Sequence, residues 1–269
     1  MEYIDYNMKY KKEIRKQRGD IMYKLMPEKY HLVKPLIRDC SAELSVFTVL
    51  NGLMLGDVFV DCQVKPSSAL IRTSETVALV GSPHNAEFNA YIKENVLGYW
   101  ENFMLDTSDW EAKIPEFHRN SFIRRYTRRH LICHKLAYTN YREDLKSSFI
   151  LEQIEPEKLA AGNLKNTDIV MKWVGNWGSF DNFRKNAVGF IIRNEDTIAS
   201  WSVTDCVLGE KAAIGIVTDM DFRRMGFAAI VSAANADYWF QNGKHELDWL
   251  CVAVNKGSQA TAKKLGFAL

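Results

Sequence analysis

The sequence has almost no charge excess: 35 Lys and Arg stand against 33 Asp and Glu, a formal +2 over 269 residues. Such a balance creates no field for nucleic acid or an anionic membrane, so neither is expected as a partner. Cysteine is sparse. The five present, Cys40, Cys62, Cys133, Cys206 and Cys251, are odd in number and widely spaced, with no C-x-x-C pair. No disulfide framework is expected, and no signal peptide opens the chain, so it reads as cytoplasmic. No apolar run approaches the roughly 18 residues of a membrane span. Also missing are G-x-x-x-x-G-K-[ST] for a nucleoside triphosphate and G-x-G-x-x-G for a dinucleotide.

What is present is apolar and patterned, and 47% hydrophobic residues are ample for packed cores. In the first forty residues Lys, Arg and aromatics form short helical patterns that carry no chemistry. LGDVFVD (55–61) and SALIRTSETVALVG (68–81) are β-branched and bounded by Gly, Pro and Ser, which predicts strands. Phe88, Ile92, Val96 and Tyr99 recur at helical spacing over 86–105. The basic run RNSFIRRYTRRHLICHK (119–135) reads as a solvated face or a domain seam rather than a phosphate face. Within it His130 and His134, at i and i+4 beside Cys133, would share one face of a helix, but no further ligand completes a metal site.

The second half is more regular. SFILEQI (148–154) predicts a strand, and the acids and Pro156 of EPEKLAAGN suit a first helical turn. Apolar runs at 187–193, 197–206 and 211–218, separated by RNED and LGEK, predict an antiparallel meander. A helix over 226–241, the strand ELDWLCVAV and a short helix in NKGSQATAKKLGF follow. The order is strand, helix, three strands, helix, strand, helix. An α/β (α+β) fold is expected, with a mixed, mostly antiparallel sheet flanked by helices, in two parts: 1–139, mixed α/β, and 140–269.

The stretch TDMDFRRMGFAA (218–229) carries the chemistry. A strand running through a small-residue turn into a helix leaves the first backbone N–H groups of that helix unpaired, and its dipole favours an anion there. Gly226 and Ala228 let a ligand approach the backbone, and Arg223 and Arg224 supply countercharge. The same residues also suit an ordinary turn with two surface arginines.

RRMGFA resembles the R/Q-x-x-G-x-G/A signature of the GNAT acyltransferase superfamily, with Arg223, Gly226 and Ala228 at its three positions. WLCVAVNKGSQATAKKLGF is similar to the final signature of the branch that includes zwittermicin A resistance-like acetyltransferases, through Trp249, Asn255, Ser258, Ala262, Lys264, Leu265, Gly266 and Phe267. The resemblance covers most of 140–269, with an echo in 55–61 and 68–81. It implies an N-acetyltransferase that moves an acetyl group from acetyl-CoA to the amine of a small molecule, an antibiotic or a metabolite. It also implies the binding residues: Ile216, Val217 and Thr218 for the pantetheine and acetyl carbonyl. Arg223, Arg224, Met225, Gly226, Phe227, Ala228 and Ala229 would take the pyrophosphate, and Asn255 and Ser258 the CoA arm. A helix-capping role for Asn255 and Ser258 fits equally.

The sequence departs from that family in two places. Ala262 stands where many members have a tyrosine that protonates the leaving thiolate, and the chain ends just after KLGF, so the last edge of the sheet is expected to be short or absent. These departures keep a non-catalytic CoA-binding or interaction module as the alternative. For catalysis an acid must lie near the fourth strand. Asp219 is preferred over Asp205 and Asp248, with Ser258 a donor for the thiolate. Cys251 reads as a small core residue, since the resemblance implies direct transfer. WVGNWGSF (173–180) either covers the acceptor or packs the core. The strands at 55–61 and 68–81 and the helix near 86 echo three elements of the second half without an RRMGFA equivalent, so whether the first half is a degenerate copy or an unrelated mixed α/β domain is left open. Homo-oligomerisation is left open.

Overall fold

The computed structural model of the protein describes residues 22–38, 43–98, 101–117 and 122–269; Cys40, Arg119 and the charged first twenty residues lie outside that set. Two sheets organise the described chain. In the first half, β1 (Tyr23–Lys24), β2 (Asp57–Val60), β3 (Ser68–Arg72), β4 (Val77–Gly81) and β5 (Phe103–Leu105) lie side by side in chain order. The first four pair antiparallel, and β4 pairs with β5 in parallel. Helix α1 (Glu43–Leu50) separates β1 from β2, α2 (Ala86–Tyr91) with a π turn to Val96 separates β4 from β5, and α3 (Ser108–Phe117) follows β5.

The second sheet contains β6 (Arg128–Cys133), β7 (Ile150–Gln153), β8 (Gly189–Arg193), β9 (Ile198–Leu208), β10 (Lys211–Thr218) and β11 (Glu246–Val252), in the order β6-β11-β10-β9-β8-β7. Strands β7 to β10 are antiparallel neighbours and β10 pairs with β11 in parallel. Helices α4 (Pro156–Ala161), α5 (Thr167–Gly175) and α6 (Phe180–Asn186) lie between β7 and β8; α7 (Phe227–Gln241) joins β10 to β11; α8 (Lys256–Leu265) follows β11. The meander, its turns at RNED and LGEK, and the helix–strand–helix ending are as the hydrophobic pattern predicts. Both halves repeat one order, strand, helices, three strands, helix, parallel fifth strand, helix.

Three expectations are corrected. The stretch 86–105 is not one helix: the helical spacing stops at Val96, and Phe103–Leu105 pairs with β4. Glu101 fixes this break by accepting from the Gly98 N–H and from both Arg72 guanidinium nitrogens. His130 lies on a strand rather than a helix, with His134 just beyond it, so the two do not share a helical face. The last edge of the second sheet is not missing. β6 fills it antiparallel to β11, and Ile132 bridges Ala268 at the chain's end. One strand from ahead of residue 140 therefore completes the second sheet.

A large core lies around the second sheet, with Trp177, Trp201, Trp249, Phe183 and Phe227 almost fully buried. The halves are joined where α1 packs on β9. Thr48 Oγ1 accepts from the Val207 N–H at 3.1 Å and sits 2.7 Å from the Val207 and Leu44 carbonyls, between which its proton is placed. One threonine hydroxyl thus continues the backbone bonding of β9 across the joint. Among the described residues no helix is long and apolar enough to cross a membrane.

Candidate active site

Strands β10 and β11 pair only at Lys211–Ala213 with Glu246–Asp248. Beyond Ala213 they part: β10 stays with β9 as far as Thr218, while β11 stays with β6 as far as Val252. From Ile214 onward the backbone edge of β10 that faces β11 has no ladder partner. Unpaired main-chain groups in a protein cleft are ready for a ligand. The fork opens into a cleft of about 560 Å³ that reaches both faces of the sheet.

Register and side-chain contacts assign the faces. Asn235 of α7 reaches Ser202, and Trp239 of α7 reaches the Thr204 hydroxyl, so Ser202 and Thr204 of β9 and their partners Ile216 and Ile214 lie toward α7. Asn255 and Ser258 line the cleft at α8. On the opposite face Trp173 of α5 lies against Gly215, where an added Cβ would overlap the indole ring. Leu44 and Ser45 of α1 and Ser74, Glu75 and Thr76 of the β3–β4 turn also wall the cleft. That wall belongs to the first half of the chain. The aromatic run 173–180 divides between its two readings: Trp173 lines the cleft, whereas Trp177 is buried and donates its indole N–H to the Thr204 carbonyl.

At the mouth of the fork the chain leaves β10, makes one short 3₁₀ turn at Met220–Phe222, and enters α7 through Arg223–Gly226. Arg224 and Gly226 have φ of +64° and +84°, which turns the backbone through two left-handed residues in three. An added Cβ at Gly226 would meet only open space, so glycine there serves the backbone angle and access rather than packing. No side chain caps α7 and its first turn has no acid, so its N-terminal N–H groups and dipole face outward. Arg223 and Arg224 are exposed beside it, and Arg223 Nε donates to the Thr218 carbonyl at 3.4 Å. Phe227 is buried against Phe149 and Ala229 is buried as well, whereas Met225 and Ala228 are half-buried. The Thr218 hydroxyl meets the Ser200 hydroxyl at 2.8 Å, and the Val217 carbonyl accepts from the same Ser200.

Asn255 caps α8 by accepting from the Ser258 N–H at 3.0 Å. The Ser258 hydroxyl is not a cap; it accepts from the buried Trp249 indole at 2.9 Å and keeps its own proton to donate. Ala262 is fully buried. Cys251 is buried in the core and borders the cleft.

Asp219 is engaged elsewhere. Its carboxylate accepts from Asn166 Nδ2 at 2.8 Å and from the Asp221 N–H at 3.0 Å, with Lys165 Nζ at 3.5 Å. These bonds, that from Asn166 first, hold it below the usual aspartate range and make it a weak base. Acids that do line the cleft are Asp205, Asp248 and Glu75. Asp205 is the extra residue of a bulge, because Ala213 faces Cys206 while the next residue, Ile214, faces Thr204. Burial pushes its carboxyl well up, the Glu75 carboxylate beside it adds to this, and the two side chains are hydrogen-bonded. Arg128 Nη2 lies 3.7 Å from Glu75, and His130 Nε2 lies 3.1 Å from the buried Asp248. Glu75 has no signal in the sequence that brings it to this cleft, and Arg128 and His130 stand out there only as part of a basic run and a His pair, because nothing local links a turn at 75 or a basic run at 128 to a strand at 205.

An antiparallel meander, a helix and a splayed parallel fifth strand, with a glycine turn at the fork, define the acetyltransferase class that the two sequence signatures resemble. A family model described as GNAT acetyltransferase matches residues 34–269, so the chain belongs to that family and is an N-acetyltransferase by class. The chain is 23% identical over 254 residues to an uncharacterized N-acetyltransferase, YdfB, of Bacillus subtilis, covering 92% of this chain and 95% of that protein. Its fold is similar to a GCN5-related N-acetyltransferase-like protein from Streptococcus suis, with a TM-score of 0.68 and 23% identity over 91% of this chain and 96% of that one. It is also similar to a tandem GNAT protein from the clavulanic acid biosynthesis pathway, with a TM-score of 0.55 and 11% identity over 91% and 94% of the two chains.

Proposed function

We propose that this chain transfers the acetyl group of acetyl-CoA to the amine of a small molecule. The observation that carries this is the fork: a strand edge without a ladder partner leads directly to an uncapped helix N-terminus flanked by two arginines. Acetyl-CoA enters from the α7 and α8 face. Its pyrophosphate meets the Arg223–Ala229 turn, with countercharge from Arg223 and Arg224 and backbone N–H groups from Met225 to Ala228; the Ala229 N–H already donates to the Gly226 carbonyl. Its pantetheine runs along the free edge of Ile216–Thr218, and Asn255 and Ser258 face it from α8. The thioester then lies at the fork, with the acceptor arriving through the opposite face.

An alkylammonium with pKa near 10.4 is almost wholly protonated at neutral pH, so freeing its lone pair costs on the order of 4–5 kcal/mol unless a base takes the proton. Asp219 is poorly suited, being depressed and fully engaged. With Ala262 buried, the proposed donor to the thiolate is the Ser258 hydroxyl, supported by its place in the cleft lining and by its free proton, since it accepts from Trp249. The acids at the acceptor mouth disfavour phosphate-rich acceptors and suit a cation. A reducing, cytoplasmic location fits Cys62, Cys133, Cys206 and Cys251, all free. The test is release of CoA thiol from acetyl-CoA with a panel of small primary amines, with the acetylated amine identified by mass. Amine-dependent thiol release is expected; acetyl-CoA binding without turnover on any amine would reduce the chain to a binding module.

A further inference from the structure

Across β9, β10 and β11 the residues Cys206, Ala213 and Asp248 stand abreast, because Ala213 is paired with Cys206 on one side and with Asp248 on the other. Ala213, small and buried, packs with Cys206 against Leu44 of α1, and Asp248 lies on its other side where the cleft opens. Asp205 rises beside Cys206 because the bulge turns it into the cleft, and Glu75 reaches over from the β3–β4 turn of the first half to hydrogen-bond with it. Asp205, Glu75 and Asp248 all line the same cleft as Cys206, and the Cys206 thiol, pushed well up first by burial, is pushed further by all three carboxyls. Asp248 Oδ1 is buried and has no hydrogen-bond partner; His130 is near it without the alignment of a hydrogen bond. A buried carboxylate oxygen lacking a donor is costly, and a bound N–H would relieve it.

We propose that Asp205 and Glu75, one carboxyl from each half of the chain, form the acceptor's ammonium site, with Asp248 as its third wall. The inference rests on the acetyl-transfer reading and adds the acceptor class, a cationic primary or secondary amine, and a role for the first half. Two carboxyls that hydrogen-bond to each other share one proton and one negative charge. That charge binds the ammonium. The ammonium then gives the pair a second proton, leaving both carboxyls neutral and the nitrogen lone pair free. Nitrogen bonds to the thioester carbon, the C–S bond breaks with its electron pair on sulfur, the thiolate takes the Ser258 proton, and one N–H proton of the acylated nitrogen restores the serine hydroxyl. The pair returns its extra proton to water. Glu75 is 47% exposed, so the acceptor reaches the pair from solvent, whereas Asp205 lies deeper. The other charged groups facing the pair are Arg128 and His130 from β6, Asp248 from β11 and Lys211 from β10, the last ion-paired with Glu246.

The experiment compares the intact chain with Glu75→Gln, a change at an exposed turn that keeps size and shape. With n-butylamine and acetyl-CoA, kcat/KM is expected to fall about 10²-fold, within the usual range for a lost acid–base group. An arylamine, neutral at pH 7, should fall far less, and acetyl-CoA affinity by calorimetry should stay within about twofold. A twofold or smaller change for butylamine overturns the proposal while leaving acetyl transfer standing. If the unaltered chain acetylates neither amine, the acetyl-transfer reading fails instead. The site is then judged by carboxyl carbon resonances: n-butylammonium shifting those of both Asp205 and Glu75 supports it, and no shift overturns it.

Discussion

Gly215 on β10 and Trp173 on α5 touch so closely that no side chain fits between them, since an added Cβ at Gly215 would overlap the indole. This contact seats the Trp173 ring on the strand where β10 leaves β11, on the face of the cleft opposite α7, where the acceptor is proposed to enter. Gly215→Ala is therefore expected to push the ring into the acceptor's path. Displacement of a positioning group by about 1 Å can cost roughly 10²-fold in rate. Amine turnover should fall by that order while acetyl-CoA affinity holds, as steady-state kinetics and calorimetry on one preparation would measure.

Ser258→Ala separates two kinds of loss. The helix cap stays, because Asn255 provides it, but the buried Trp249 indole loses its acceptor, costing about 1–3 kcal/mol of stability. If the Ser258 proton goes to the departing thiolate, the single-turnover rate of the folded variant also falls, by about 10²-fold. Lower melting temperature with an unchanged rate would remove Ser258 from the chemistry. Asn255→Ala should cost about 0.5–2 kcal/mol through the cap.

The pH dependence of stability reports on Asp205. Its carboxyl is raised in the folded chain, first by burial and then by Glu75, so the folded state holds a proton that the unfolded state has released. That contribution is complete below the ordinary aspartate pKa and is lost as pH rises through the folded value. Asp205→Asn mimics the protonated form and can still donate to Glu75. It is expected to raise the melting temperature at neutral pH relative to the parent, to flatten its decline with rising pH, and to impair amine acetylation. A lower melting temperature at neutral pH would contradict the raised carboxyl of Asp205.

The two halves should not bind alike. In the first half the equivalent gap between β4 and β5 is stapled: the Asp106 N–H donates to the Leu79 carbonyl, Asp106 Oδ2 accepts from the Gly81 N–H, and the buried Trp110 indole donates to the Gly81 carbonyl. Pro83 further removes a backbone donor just ahead of α2. Titration with acetyl-CoA is expected to give one site per chain; two sites would show that the first gap opens.

The second half was legible because its signals are local. RNED and LGEK mark turns between runs of strand length, and Gly226 sits between a strand and a helix that are adjacent in sequence. Expectations failed where partners are distant. β6 starts with exposed Arg129 and His130 and buries only Leu131 and Cys133, so it shows no strand alternation, and its partner β11 begins more than a hundred residues later. The basic run was readable as a solvated face or a domain seam, and Arg128 does meet Glu75 of the first half, but its place in a sheet was not readable. The helical spacing of 86–105 ran past Val96 because Gly98 and Glu101 break it only with Arg72, from another strand. Asp205 was visible as an acid near the fourth strand. Glu75 was not, because only the packing of two halves brings a turn at 75 against a bulge at 205.

The central claim is that acetyl-CoA lies in the fork with its pyrophosphate on the Gly226 turn, and calorimetry on the parent and Gly226→Val tests it most directly. Valine at φ +84° is strained and shields the N–H groups of α7, yet its side chain meets open space and the core is untouched. The variant is expected to remain folded by circular dichroism while its acetyl-CoA affinity drops at least tenfold, about 1.4 kcal/mol. Equal affinity in the folded variant, or no binding by the parent chain, would contradict the claim.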